Sequence, residues 1–100
     1  MLAGVLLAAA AGAAEQETAE LERLNAHVER LYQEGRYADA LSLAARAVEL
    51  GEELLGTHPQ AVAESINNLA GLYQATGEYA RAEPLYLRSL GIREKFLGPF

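Results

Sequence analysis

The sequence predicts an all-α protein made of two helix hairpins stacked into a short α-solenoid. One reason is an internal repeat, because Gly35 and Tyr37 recur as Gly77 and Tyr79, 42 residues further on. Another is that apolar residues inside each unit recur at steps of three and four, as on one face of a helix. Repeats of this length with helical spacing are typical of solenoids built from helix pairs. The same offset relates Ala40 to Ala82, Leu43 to Leu85, Arg46 to Arg88, Glu52 to Glu94 and Leu55 to Leu97.

The first hairpin is predicted from a helix over residues 17–34 and a second helix over residues 37–55. Gly35 separates them, because glycine adopts the left-handed conformation that ends a helix. Gly51 lies inside the second helix and weakens it by about 1 kcal/mol relative to alanine. The first helix is expected to bury Leu21, Leu24, Val28 and Leu31. The second is expected to bury Ala40, Leu41, Ala44, Ala47, Val48, Leu50 and Leu54.

The second hairpin is predicted from helices over residues 59–76 and 79–96, with Gly77 between them. Pro59 suits the first turn of its helix, where a missing N–H costs nothing. Pro84 removes one backbone hydrogen bond from the last helix and is tolerated within its first two turns. The third helix is expected to bury Val62, Ile66, Leu69, Ala70 and Tyr73. The fourth is expected to bury Ala82, Leu85, Tyr86, Leu90 and Phe96.

The alignment of the two units has two solutions. Residues 31–33 match residues 72–74 at an offset of 41, whereas an offset of 42 keeps the apolar faces in phase. We adopt 42, because burial constrains a position more strongly than residue identity does. His27 then takes the position of Leu69, and it is expected to be a partly buried core residue.

Composition narrows the class of partner. The net charge of −6 argues against nucleic acid, which needs clustered lysine and arginine, and against an anionic membrane surface. The chain has no cysteine, so disulfides, cysteine-ligated zinc and a thiol nucleophile are excluded. The two histidines, His27 and His58, lack a second ligand at metal spacing. We therefore expect neither a metal nor a cofactor.

The first residues predict a signal peptide over residues 1–14. Leu2 to Ala11 form an apolar run, small residues follow at 11–14, and charge begins at Glu15. The run is too short to span a bilayer, but its length suits the core of a secretory signal. Export to the periplasm or medium is therefore expected, with no membrane contact after processing. No lysine or arginine precedes the run, so either the signal is atypical or the true start lies upstream of Met1. The alternative is an alanine-rich leader on a cytoplasmic protein.

The residues from 58 to 99 carry the strongest resemblance to a known family. They include Asn67-Asn68-Leu69-Ala70, Leu72-Tyr73, Gly77, Tyr79, Ala82-Glu83, Leu85-Tyr86 and Leu97-Gly98-Pro99. This pattern resembles the tetratricopeptide repeat, in the 42-residue variety of kinesin light chains and bacterial scaffold proteins. The resemblance implies a right-handed superhelix with repeats at residues 17–58 and 59–100, as a truncated array. It also implies that the first helix of each pair lines a concave, peptide-binding groove.

Six residues on that face are predicted to bind peptide: Asn25, Glu29, Tyr32, Asn67, Asn68 and Gln74. An amide side chain both donates to and accepts from an extended backbone, which suits sequence-tolerant capture. The alternative is that Asn67 or Asn68 bonds a neighbouring helix and fixes the repeat spacing. Glu22, Glu29 and Glu64 on the same side favour a basic ligand, although acidic residues are also ordinary on a solvated helix.

No constellation of catalytic residues is apparent, so the sequence predicts a noncatalytic scaffold that holds a peptide or partner protein in its concave face. The serines lie in predicted helices without a base nearby, and no glycine-rich phosphate loop follows a strand. The alternative is a regulatory N-terminal repeat region of a larger multidomain enzyme, such as a bacterial protease-like effector.

Two repeats bury little surface, so weak stability is a further expectation. The uncapped C-terminal repeat is expected to present an apolar strip that either receives another repeat or mediates self-association.

Overall fold

The computed structural model describes the backbone of residues 2–98 and, within it, the side chains of residues 12, 13 and 15–98. Four helices follow one another: α1 (Leu2–Gln33), α2 (Tyr37–Glu52), α3 (Pro59–Ala75) and α4 (Tyr79–Leu97). This confirms the all-α prediction, since residues 2–98 contain no strand. The predicted limits of α2, α3 and α4 hold to within three residues. We call α1 with α2 the first hairpin, and α3 with α4 the second.

The predicted start of α1 at residue 17 was wrong, because the helix begins at Leu2. Alanine and leucine dominate the first residues and are among the strongest helix formers, so the segment predicted as a leader continues the first helix of the repeat. No helix within residues 2–98 combines the length and the apolarity that crossing a membrane requires.

The two hairpin turns share one glycine-based geometry. Gly35 and Gly77 have φ angles of 74° and 84°, in the left-handed region that glycine occupies most readily. Just beyond each glycine, a backbone N–H bonds the carbonyl five residues back, from Arg36 to Leu31 at 2.9 Å and from Glu78 to Tyr73 at 2.7 Å. This pattern satisfies carbonyls that the helix end would leave unpaired, and it explains why glycine recurs at both positions.

Gly51 has a packing role that the sequence did not reveal. A Cβ atom at this position would lie 3.4 Å from Cγ1 of Val62, so Gly51 packs directly against α3 and leaves little room for a side chain larger than a methyl group. The helix ends one residue later, at Glu52. Leu54 is nevertheless buried, at 3% exposure, in the turn that leads to α3.

Two apolar clusters form the core, and α3 belongs to both. Val48 and Leu85 pack against both clusters and connect them. The first consists of Leu21, Ala47, Leu54, Val62, Ala63, Ile66 and Ile92. The second consists of Val28, Leu31, Ala40, Ala44, Leu69 and Leu72. The third helix therefore joins the two hairpins into one packed unit.

Two predictions about α4 were wrong. Leu90 and Phe96 are exposed, at 44% and 38%, while Ser89 and Ile92 are buried in their place. The hydroxyl of Ser89 donates to the carbonyl of Ala63 at 2.9 Å, so a polar residue holds the centre of the α3–α4 contact. The sequence favoured the larger apolar residues and so misplaced Leu90 and Phe96, whereas Ala82 is buried and Leu85 packs against both clusters, as predicted.

His27 is exposed, which corrects the expectation that it is a core residue. Its repeat counterpart Leu69 is buried because the first hairpin packs against it. Within the described chain no hairpin lies against the corresponding side of α1.

Candidate functional site

A cavity of about 430 Å³ opens between α1 and α3, on the side predicted to be the concave face. This volume lies within the range of ordinary ligand pockets. Tyr86 of α4 also lines it. The other polar or small residues that line the cavity are Glu29, Tyr32 and Gln33 from α1, and Asn67, Asn68 and Gly71 from α3. We call this cavity the groove.

Asn68 is the most informative residue of the groove. Its Nδ2 is buried and has no hydrogen-bond partner among the described residues. A buried amide donor left unpaired costs about 1–3 kcal/mol, and folded proteins satisfy the large majority of such groups. The residue therefore supplies a donor that the fold itself does not use.

Gly71 lines the groove without placing a side chain in it. It lies in the interior of α3, where glycine is less favourable than alanine by about 1 kcal/mol. A Cβ atom would stand 3.7 Å from Oη of Tyr86 and 3.9 Å from Cε2 of Tyr32, which are ordinary contacts. Alanine would therefore fit without strain, and larger side chains would extend into the space between the two tyrosines.

Aromatic rings form the walls of the groove. Tyr32 packs against Tyr37 of α2, with ring centroids 5.4 Å apart. The hydroxyl of Tyr86 donates to Oε1 of Gln74 at 2.7 Å, which fixes the ring beside the cavity. Rings held in this way offer apolar surface at a small cost in side-chain entropy, which suits the capture of a ligand.

Asn25 does not line the groove, contrary to the prediction. It is 2% exposed, and its Nδ2 donates to the carbonyl of Ala61 at 3.2 Å. The hydroxyl of Ser65 donates to its Oδ1 at 2.7 Å, so the amide joins α1 to α3. The buried position follows from the packing of the second hairpin over this part of α1.

Two carboxylates stand together beside the groove. Burial raises the pKa of Glu64, and the adjacent Glu29 raises it further through a hydrogen bond and charge repulsion. Arg93 of α4 acts in the opposite direction and lowers it. The sequence predicted that these acidic residues lie on one side of the first helices. The structure shows in addition that the arginine of α4 partly offsets their negative charge.

Four of the six predicted residues, Glu29, Tyr32, Asn67 and Asn68, line the groove. Asn25 lies inside the helix packing, and Gln74 is exposed and bonded to Tyr86. The prediction missed Tyr86, which reaches the groove from a different helix. Its place among the apolar residues of α4 was the only available signal in the sequence, and that signal predicted a buried core residue.

The described residues contain no cluster of three or more histidine or acidic side chains that would hold a metal ion. The prediction that no metal or cofactor is bound remains a prediction.

A family model described as Tetratricopeptide repeat matches residues 17–95. None of the curated proteins compared with the chain matches it.

Proposed function

This chain belongs to the tetratricopeptide repeat family, and on that premise we propose that its groove binds an extended segment of a partner protein. Repeats of this family generally mediate protein–protein interaction, and the family is typically noncatalytic. Beyond these family properties, we propose that binding takes place in the groove and that the ligand is an extended polypeptide segment.

The observation that carries the proposal is the unpaired donor of Asn68 in a cavity walled by aromatic rings. If the Asn68 amide turns toward the cavity, a backbone carbonyl of a peptide would satisfy that donor, and every peptide offers one at each residue. Tyr32 and Tyr86 would contact side chains on either side. The lining is mostly polar with two tyrosine rings beside it, and an extended polypeptide can use both, since its backbone bonds the polar groups and its side chains contact the rings.

Replacing Asn68 tests the proposal. We expect Asn68→Ala to weaken binding of a groove peptide about 5- to 30-fold, the effect of losing one hydrogen bond of 1–2 kcal/mol. The free energy of unfolding should stay constant or rise, because the change removes an unsatisfied buried donor. Peptides selected from a phage-displayed random library on the immobilised chain serve as probes, and calorimetry gives their affinity.

Asn25→Ala is the matched control. It removes the same side chain from the neighbouring helix, but it breaks the bonds to Ala61 and Ser65. We expect this variant to lose about 1–3 kcal/mol of stability. A lower melting temperature for Asn68→Ala with unchanged peptide affinity would contradict the proposal and make the residue a structural one.

Export is a second proposal, which rests on the apolar run at Leu2 to Ala11 and the small residues after it. We expect the mature protein to begin between Ala13 and Gln16. Expression in a bacterium, followed by mass spectrometry of the cytoplasmic and exported fractions, measures this. Protein with an intact N-terminus found only in the cytoplasm would contradict it.

A further inference from the structure

A pair of glutamates connects the groove to a second cavity on the same pair of helices. Glu29 of α1 lines the groove. Glu64 of α3 lines a cavity of about 500 Å³ next to the start of α3, together with Glu22 and His58. A hydrogen bond joins the side chains of Glu29 and Glu64. A chain that runs from one cavity to the other would therefore pass over these two carboxyl groups.

The described residues do not supply a cation that pairs with these carboxyl groups. Arg93 of α4 lowers the pKa of Glu64, but burial, Glu29 and Glu22 raise it and prevail. Among the described residues Arg93 forms no ion pair. No lysine or arginine lines the groove or the second cavity. The negative charge at this end of the groove is therefore only partly offset.

Tyr32 places an aromatic ring next to this negative charge. It follows Glu29 by three residues on α1, so the two side chains are neighbours on one helix face. The ring is 42% exposed, and its contact with Tyr37 holds it in place. A guanidinium group can stack on a tyrosine ring while its N–H groups bond carboxylates. A ring beside two carboxyl groups thus matches the chemistry of an arginine side chain.

We propose that the segment held in the groove carries an arginine, whose guanidinium group lies between Glu29 and Glu64 and against the ring of Tyr32. This inference rests on the proposed binding of an extended segment, and it adds the chemical class of the partner. Arginine fits better than lysine, because its planar fork of donors can bond two carboxylates at once. The net charge of −6 would also attract a basic segment to the chain.

The pair makes this binding depend on pH. Because the pKa of Glu64 is raised, its carboxyl group keeps a proton at a pH where an ordinary glutamate has lost it. A guanidinium group beside it favours the ionised form, so binding lowers that pKa and releases the proton. Affinity should therefore rise as the pH increases from the ordinary value of 4.5 through the raised pKa of Glu64, and level off above it.

The control for this dependence is Glu64→Gln, which cannot release the proton. The other charged or titratable groups around Glu64 stay in place in this variant. They are Glu22 and Glu29 of α1, His58 at the start of α3 and Arg93 of α4. Calorimetry at about pH 5 in two buffers of different ionisation enthalpy counts the protons released. We expect release from the parent chain and a clear loss of release from the variant.

A double-mutant cycle tests the contact itself. The probes are peptides selected from the random library on the immobilised chain, resynthesised with citrulline or lysine in place of arginine. Citrulline keeps the shape of arginine and removes its charge. We expect it to lower affinity for the parent about tenfold or more, and for Glu29→Gln less than about threefold. Lysine should retain part of the affinity. Glu94→Gln is the matched control, because Glu94 is exposed on α4 and lines neither cavity.

The outcomes separate this inference from the proposed function. Selected peptides that share no arginine would overturn the inference and leave groove binding intact. An equal effect of citrulline on the parent and Glu29→Gln chains, or equal proton release by the parent and Glu64→Gln chains, would do the same. A library that yields no binding peptide would overturn the proposed function, and the inference with it.

Discussion

Leu72→Arg should unfold most of the chain at room temperature, whereas Arg30→Leu should change its stability by less than about 0.5 kcal/mol. The two residues occupy the same position of the repeat. Each substitution introduces the residue type that the other hairpin has at that position. Leu72 is completely buried in the second core cluster. An arginine there would be a buried, unpaired charge, and such a charge costs about 3–5 kcal/mol. A small domain of this size has little stability beyond that.

Helix content from circular dichroism and the midpoint of urea unfolding give the measurement. Arg30 is exposed, so the reciprocal variant controls for a change of residue type at the same repeat position. If the Leu72→Arg protein melted within a few degrees of the parent, α3 would not pack against the first hairpin, and it would not join the two hairpins into one packed unit.

The glycine turns and the inner faces of α1 to α3 were predictable because they depend on local rules. Gly35 and Gly77 end helices for reasons of backbone geometry. Apolar residues at steps of three and four define a buried stripe wherever one stripe is dominant. On α4 the apolar residues spread over two sides, and periodicity did not show that Ser89 faces inward and Leu90 outward. Ser89 donates to the carbonyl of Ala63, a contact that only the three-dimensional packing reveals.

The candidate site was only partly predictable because equivalent residues have different neighbours. Asn25 and Asn67 share a repeat position, yet one lies under the second hairpin and the other lines the groove. Aligning the two repeats shows which residue types occupy equivalent positions. How deeply each of these residues is buried, however, depends on the helices that pack against it. The unpaired donor of Asn68 is likewise a property of the folded surroundings and has no signature in the sequence.

Filling the groove tests most directly whether this surface binds a polypeptide. Gly71→Leu places a side chain between Tyr32 and Tyr86, where space for a Cβ atom exists. The substitution also removes an interior glycine from α3, so the helix itself should not be weakened. Gly91→Leu is the control: Gly91 is exposed in α4, and a Cβ atom there would meet nothing within 4 Å.

The measurement is the affinity of library-selected peptides for the parent, the Gly71→Leu chain and the Gly91→Leu chain, with circular dichroism confirming that all three are folded. The account predicts that Gly71→Leu lowers affinity at least about 100-fold, because the ligand and the leucine compete for one space. Gly91→Leu should bind like the parent. Peptides that bind the folded Gly71→Leu chain as tightly as the parent would contradict the account and place the binding surface elsewhere.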